Sequence, residues 1–308
     1  MSKAQRVAVV SGGNKGIGFA IVRALCKQLD NGIVYLTARN EERGREAVAR
    51  LNRVGLQPKF HQLDVTDPAS VSKLRDFLQK THGGLDILVN NAGIAFKEVT
   101  VTICEGQMTL SLDCEKEPSS TDSTATLDGS SPTFGEKASI TMATNFTAVL
   151  KINRALIPLI RAQGRIVNLV SICGEWTYDK MSKELQGRFQ GVKTEQDVEQ
   201  LMQEFVTLAK AGNHAGNGWP EFAYGVSKMG VTALTRVQAA DIARDKTKED
   251  VLMTCCCPGY VATDMTNHEG ERTVDEGAST PVYCALLPPG SSRFNGKMFI
   301  DKELHEFW

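Results

Sequence analysis

Short runs of β-branched and apolar residues alternate with helical patterns along almost the whole chain, and this alternation restricts the fold more than any other feature. Strand-like runs lie near 7–10, 33–37, 59–63, 87–90, 165–170, 251–256 and 297–300. Between them, apolar positions at helical spacing predict helices over 16–29, 41–53, 68–82, 137–161, 223–244 and 273–287. Strands joined by helices make βαβ units and a parallel sheet. The run Ile166 to Val170 is nearly continuous in apolar residues, as a strand buried on both faces requires. The expected class is α/β, a doubly wound parallel sheet with strand order 3-2-1-4-5-6-7, in a single domain over 1–308 that carries two insertions.

Both insertions break the rhythm. Over 99–135 the chain turns polar and turn-rich, with Ser119-Ser-Thr-Asp-Ser-Thr124 and Asp128-Gly-Ser-Ser-Pro132, and it has little to bury. An exposed or disordered insertion is expected there. The segment 174–220 differs, because Val198, Leu201, Met202, Phe205, Val206 and Leu208 give 195–211 an apolar helical face that can fold against the body. A solvated lid without a role and a segment that shapes the substrate cleft are both open for it.

The formal net charge of −1 offers no global field for nucleic acid or an anionic membrane, so a small-molecule partner is expected. No apolar run is long enough to span a bilayer, and the first residues lack a signal-peptide pattern. Eight cysteines, three of them adjacent at Cys255, Cys256 and Cys257, show no metal-ligand spacing. Reduced, mostly buried thiols of a cytoplasmic protein are the expected state, with no metal site.

Several fragments carry chemistry. Gly12, Gly16 and Gly18 follow the first strand and open a helix, where bare backbone and unpaired N–H groups suit a pyrophosphate. A tight βα turn alone would use the same residues. The second strand ends at Arg39, where an acidic residue would select NAD, and Lys15 sits in the glycine turn. Two cations there favour a 2′-phosphate, hence NADPH. Asp64 follows the third strand and suits either an adenine amino group or the start of the next helix. Asn90-Asn91-Ala92-Gly93 closes the fourth strand, and Asn91 suits either cofactor contact or a tie between neighbouring loops. Ser171 ends the fifth strand, and Tyr224 and Lys228 lie one helical turn apart, so they share a face.

The chain resembles the short-chain dehydrogenases/reductases, and within them the monomeric NADPH-dependent carbonyl reductases. Val9-Val-Ser-Gly-Gly-Asn-Lys-Gly-Ile-Gly18, Phe60-His-Gln-Leu-Asp64, Leu88-Val-Asn-Asn-Ala-Gly-Ile-Ala-Phe96, Gly218-Trp-Pro220, Tyr224-Gly-Val-Ser-Lys228 and Cys256-Cys-Pro-Gly259 carry the likeness. It covers nearly the whole chain outside 99–135. The resemblance implies a Rossmann-type fold and a catalytic set of Asn145, Ser171, Tyr224 and Lys228. Tyr224 would donate the proton, Lys228 would lower its pKa and hold the nicotinamide ribose, Ser171 would orient the carbonyl, and Asn145 would support a water relay. It also implies cofactor contacts from Asn14, Ile17, Val65, Ala92, Gly93, Pro258, Gly259, Val261 and Thr263 besides those above. Cys173, Trp219, Tyr260 and Met265 would line the substrate cleft with Ser171; each of them also suits the core, Cys173 and Met265 most of all.

The implied activity is NADPH-dependent reduction of aldehydes and ketones, quinones included. A narrower reductase for a steroid, prostaglandin, pterin or alkaloid ketone is the nearest alternative, and a non-catalytic NADP-binding sensor or scaffold is a more distant one. The 174–220 segment resembles the insertion that monomeric carbonyl reductases fold over the usual subunit interface, so a monomer is expected. Ser11 stands for the usual threonine, Val170 for a frequent second serine, and Asn145-Phe-Thr147 is a glycosylation sequon in an apolar helix, taken as accidental.

Overall fold

A computed structural model describes residues 5–96, 100–104, 107–111 and 131–307. Eight strands form one sheet: β1 (Val7–Val10), β2 (Ile33–Ala38), β3 (Lys59–Gln62), β4 (Leu85–Asn90), β5 (Ile160–Leu169), β6 (Leu252–Cys257), β7 (Met298–Ile300) and β8 (Glu303–His305). Their spatial order is 3-2-1-4-5-6-7-8, parallel from β3 to β7. The expected order of seven strands therefore holds. The eighth strand, antiparallel to β7, was not anticipated; its three residues are too short for any alternation to show in sequence.

Ten α-helices surround the sheet among the described residues: α1 (Gly16–Gln28), α2 (Glu41–Asn52), α3 (Pro68–His82), α4 (Phe134–Met142), α5 (Ala148–Leu156), α6 (Ile172–Asp179), α7 (Lys183–Gly191), α8 (Glu195–Lys210), α9 (Ala223–Arg244) and α10 (Val274–Ala285). Apolar residues of α1, α2 and α10 cluster with Ala8, Val10 and Leu36 on one face. On the other face, Leu74 and Leu78 of α3, Leu156 of α5 and Ile242 of α9 meet Val7, Val9 and Leu88. This two-sided burial explains why the strand runs lack polar alternation.

Several boundaries depart from the expected ones. The single helix over 137–161 is instead α4, a π-helical turn at Ala143–Thr147, α5 and a 3-10 turn at Ile157–Leu159. Pro158 cannot supply the backbone N–H that a continuing α-helix needs, and β5 already starts at Ile160. The polar stretch starts with an antiparallel hairpin, Thr100–Cys104 against Gln107–Ser111, rather than with unstructured chain. Its β-branched residues Thr100, Val101, Thr102 and Ile103 favour a strand. Its far end belongs to α4, which Thr133 and Glu136 start with a capping box. The expectation for 112–130 falls outside the described residues.

The segment after β5 holds three helices, not one. Ser171 caps α6 and Ser182 caps α7, each accepting an N–H from the first turn. The helix expected over 195–211 is α8, and Val198, Leu201, Met202 and Phe205 are all buried on it. They pack with Phe146 after α4 and with Val226 and Met229 of α9. A β-carbon on Gly230 would lie 2.5 Å from the Met202 sulfur. No helix among the described residues is long and apolar enough to cross a membrane.

Candidate active site

The glycine turn leaves β1 at Ser11 and enters α1 at Gly16. Gly12 has φ of +65°, which a side chain would strain, and a β-carbon there would come within 3.0 Å of the Ala92 backbone. The loop after β4 therefore lies directly against the turn. Ser11 Oγ accepts N–H groups from Asn91 (2.9 Å) and Ala92 (3.0 Å), which a threonine hydroxyl would also do. Asn91 Nδ2 donates to the carbonyls of Ser11 and Gly12, so of its two suggested roles the structure shows the tie between loops. Lys15 occupies the N-cap of α1 and its side chain caps nothing. That leaves first-turn N–H groups and the positive end of the helix dipole available to an anion.

Other expected cofactor contacts ring this turn. Asn14 and Ile17 are half-buried within it. Thr263 lies against Gly16, its methyl 3.5 Å from where a β-carbon would sit, so the loop after β6 closes the far side. Pro258 is half-buried at the start of that loop, Gly259 has φ of +82°, and Val261 is fixed by a bridge to Arg272. Arg39 is exposed at the end of β2. The Lys15 ammonium forms an ion pair with Asp264 at 2.6 Å, a partner that sequence reasoning missed because the two residues are far apart in the chain. Asp64 turns back on itself, accepting from Thr66 N and Oγ1, while Asp67 caps α3. Val65 beside it is half-buried.

The reacting end of the site is set by α6 packing on α9. Gly174 sits so close that a β-carbon would lie 3.0 Å from Met229 N, and this contact carries Ser171, the cap of α6, toward Tyr224. Burial holds the Tyr224 pKa above the ordinary phenol value, against a smaller lowering by nearby Ser171. The lowering expected from Lys228 is not seen in the chain alone. Lys228 Nζ stands 5.5 Å from the Tyr224 ring centre and donates to the Leu169 carbonyl at 2.9 Å. Burial lowers the pKa of its ammonium to about 8.

Asn145 lies in the π-helical turn and is almost fully buried. Single-turn π-bulges inside helices often mark functional positions. Its Oδ1 accepts from Ile94 N and its Nδ2 donates to Ile94 O, both at 2.8 Å, and also to Ser227 Oγ at 3.1 Å. A β-carbon on Gly93 would lie 3.3 Å from Asn145 Oδ1 and 3.7 Å from Lys228 Nζ. Ala92 and Gly93 thus join the glycine turn to Asn145 and Lys228. The Leu169 carbonyl was not singled out in sequence, because a backbone acceptor leaves no signature there, and Ser227 stood only as a spacer between Tyr224 and Lys228.

The proposed cleft residues divide. Trp219 is 1% exposed and packs on Phe189 and Phe205 at 5.9 and 5.3 Å, so it is core and cannot line a cleft. Met265, proposed for the cleft with the core as its other reading, is 41% exposed on the loop after β6, so it is not core. Tyr260 is half-buried there. Cys173 is half-buried beside Ser171, which accepts its N–H, and burial pushes its thiol up to about 11. Cys257 Sγ accepts N–H groups from Ile172 and Gly259, bridging the starts of α6 and the loop after β6.

The profile of the short chain dehydrogenase family matches residues 6–114 and 207–273. Carbonyl reductase (NADPH) 3 of Rattus norvegicus is 44% identical over 303 residues, covering 98% of both chains. Carbonyl reductase (NADPH) 1 of Homo sapiens is 42% identical over 308 residues, covering all of both. Among solved structures, salutaridine reductase from Papaver somniferum superposes with a TM-score of 0.77 at 33% identity, over 96% of this chain and 99% of that one. Menthone neomenthol reductase from Mentha piperita gives 0.72 at 31%, over 98% and 100%.

Proposed function

The chain belongs to the short-chain dehydrogenases, and from that premise we propose that it reduces aldehydes and ketones, quinones included, to alcohols with NADPH. The observation that carries this reading is the packing of Lys228 under Tyr224, with Ser171 near enough to the same phenol to lower its pKa. Gly12 and Gly18, whose side chains would collide with neighbouring backbone, and the uncapped start of α1 fit the pyrophosphate of such a cofactor. Arg39 and Lys15 would meet the 2′-phosphate, with Lys15 leaving Asp264 to do so. The bound reduced nicotinamide supplies the hydride.

The protein supplies orientation and a proton. Ser171 and Tyr224 present two hydroxyls to one carbonyl oxygen, and Tyr224 gives its proton as the oxygen becomes an alcohol. A phenol whose pKa burial has raised keeps that proton at neutral pH until negative charge develops beside it. Lys228, held by the Leu169 carbonyl, stabilises the phenolate left behind, and Asn145 fixes the 93–94 backbone next to it. Cys173 and Tyr260 border the oxygen-binding end. Broad carbonyl reduction is preferred to a narrower role because the relatives named carbonyl reductases are 42–44% identical, against 31–33% for salutaridine reductase and menthone neomenthol reductase.

We read the protein further as a cytoplasmic monomer. Free, mostly buried cysteines support the compartment, and α8 lying across α4 and α9 supports the oligomeric state. NADPH oxidation with a panel of simple quinones and aromatic aldehydes tests the activity. Binding of NADPH without turnover of any member would leave only a cofactor-binding protein.

A further inference from the structure

Two turns below Asn145 and Lys228 on the same helices lies a second polar layer, of a kind that an apolar core does not need. Asn90, at the end of β4, is 3% exposed, and Asn153, Asn168 and Thr235 are fully buried. Asn90 Nδ2 donates to Asn153 Oδ1 at 2.7 Å and to Asn168 Oδ1 at 2.8 Å. Asn153 Nδ2 donates to Gln238 Oε1 at 2.7 Å, and Gln238 Nε2 donates to Glu195 Oε1 at 2.6 Å. Glu195 opens α8, in the segment that interrupts the βαβ alternation. The chain of bonds thus runs from a surface carboxylate to the strand end that enters the Asn91–Gly93 loop.

The sense of these bonds is forced from both ends. A carboxylate only accepts, so Gln238 must turn its NH₂ toward Glu195 and its carbonyl toward Asn153. On the other branch, the Thr235 hydroxyl donates to the Val231 carbonyl, so it accepts from Asn168 Nδ2 at 2.9 Å. Both branches then present carbonyl oxygens to Asn90, which must offer its NH₂ to both. Asn90 Oδ1 is left buried and without a partner. Rotating the amide would set that oxygen against two other carbonyl oxygens and give it no donor, so the orphan is a consequence of the network.

We propose that Glu195 is a positioning residue: through Gln238 and Asn153 it fixes the orientation of Asn90, and so clamps β4, α5 and α9 in the register that seats Asn145 and Lys228. Glu195 also meets Arg154 at 2.7 Å, so a plain surface ion pair is the competing account. The two differ in what the carboxylate does. An ion pair holds α8 to α5 and ends there. The relay extends the influence of the charge to Asn90, which no part of α8 touches through these bonds except by way of Gln238 and Asn153.

The catalytic consequence rests on the reductase reading, but the relay has its own readout. Side-chain amide ¹H–¹⁵N resonances of the whole protein are recorded for wild type, Glu195→Gln, Gln238→Met and Arg154→Ala. Glu195→Gln and Gln238→Met are expected to move the Asn153 and Asn90 resonances, while Arg154→Ala leaves Asn90 in place. In the same two relay variants kcat for a quinone falls about tenfold with KM for NADPH unchanged, within the roughly hundredfold that a misplacement of about 1 Å costs. Shifts confined to Gln238, the same Asn90 shift in Arg154→Ala, or an unchanged kcat would each overturn the proposal. Wild type that reduces no carbonyl overturns the reductase reading instead, and the resonance pattern still decides the relay.

Discussion

Gly18 and Asn91 meet across the glycine turn: a β-carbon on Gly18 would fall 2.4 Å from Asn91 Nδ2 and 2.3 Å from the Gly12 carbonyl oxygen. The same amide nitrogen donates to that carbonyl at 3.2 Å. Gly18 is therefore glycine for closeness, since its φ is not left-handed, whereas Gly12 is glycine for conformation as well.

Gly18→Ala should push the Asn91 amide off the Gly12 carbonyl. Overpacking of this kind costs about 1–3 kcal/mol. Chemical denaturation should show a loss in that range, and fluorescence titration should show weaker NADPH binding. Unchanged affinity with lowered stability would mean that the turn does not meet the cofactor.

Tyr224→Phe keeps the ring and removes the only group proposed as acid. Reduction of a quinone or aldehyde should fall by about 10²–10⁴, the usual contribution of general acid catalysis, with NADPH affinity near normal. Turnover close to wild type would remove Tyr224 from the reaction.

Much of this arrangement is legible in the sequence because it is local. Strand runs bounded by glycines or asparagines, and the Tyr224–Lys228 spacing, are short-range patterns, and the glycine turn after the first strand points to the dinucleotide-binding strand order. What sequence hides is long-range or backbone-borne. Lys15 and Asp264 lie 249 residues apart, and the Leu169 carbonyl that holds Lys228 has no side-chain signature. Trp219 illustrates the limit in another way. It sits between two motif-rich stretches and reads as a cleft residue, yet Phe189 and Phe205, from helices whose positions only folding reveals, enclose it.

Cofactor choice rests on Arg39 and Lys15. Each charge-assisted hydrogen bond to a phosphate is worth about 1.5–3 kcal/mol, so Arg39→Asp should erase or reverse the preference for NADPH over NADH. Asp264→Asn frees Lys15 from its ion pair and should tighten NADPH while leaving NADH unchanged. Surface ion pairs contribute at most about 1 kcal/mol, so the gain should stay below about fivefold in Kd. Equal affinities of the wild type for the two nucleotides would defeat the assignment of both cations.

Lys228 makes stability depend on pH in a known direction. Burial lowers its folded pKa from 10.5 to about 8, so between those values the unfolded chain binds a proton that the folded chain has lost. Stability due to this group is therefore lowest below pH 8 and rises as pH climbs from about 8 to 10.5. The displacement corresponds to about 3 kcal/mol. Denaturation of wild type and Lys228→Met across that range should show the variant's relative advantage shrinking by roughly this amount as pH rises. A constant difference would place the folded pKa of Lys228 near its ordinary value.

The monomer reading stands on α8. The family resemblance implies association through the helix bearing Tyr224 and Lys228 and its neighbour, and here Met202 and Phe205 of α8 bury themselves against Phe146, Met229 and Gly230. Glu195 ties the start of α8 to Arg154 and Gln238, and Arg188 pairs with Glu204 to hold α7 to it. A tethered cover competes with a second subunit at high effective concentration, so it would prevail without exceptional affinity. Sedimentation of the wild type at micromolar concentration should give a single species at the mass of one chain. Met202→Asp with Phe205→Asp should lift the cover and expose an apolar face, which then either associates or aggregates. A wild-type dimer or tetramer would show that α8 leaves that surface available, and a variant that stays monomeric and stable would show that α8 is not what keeps the wild type apart.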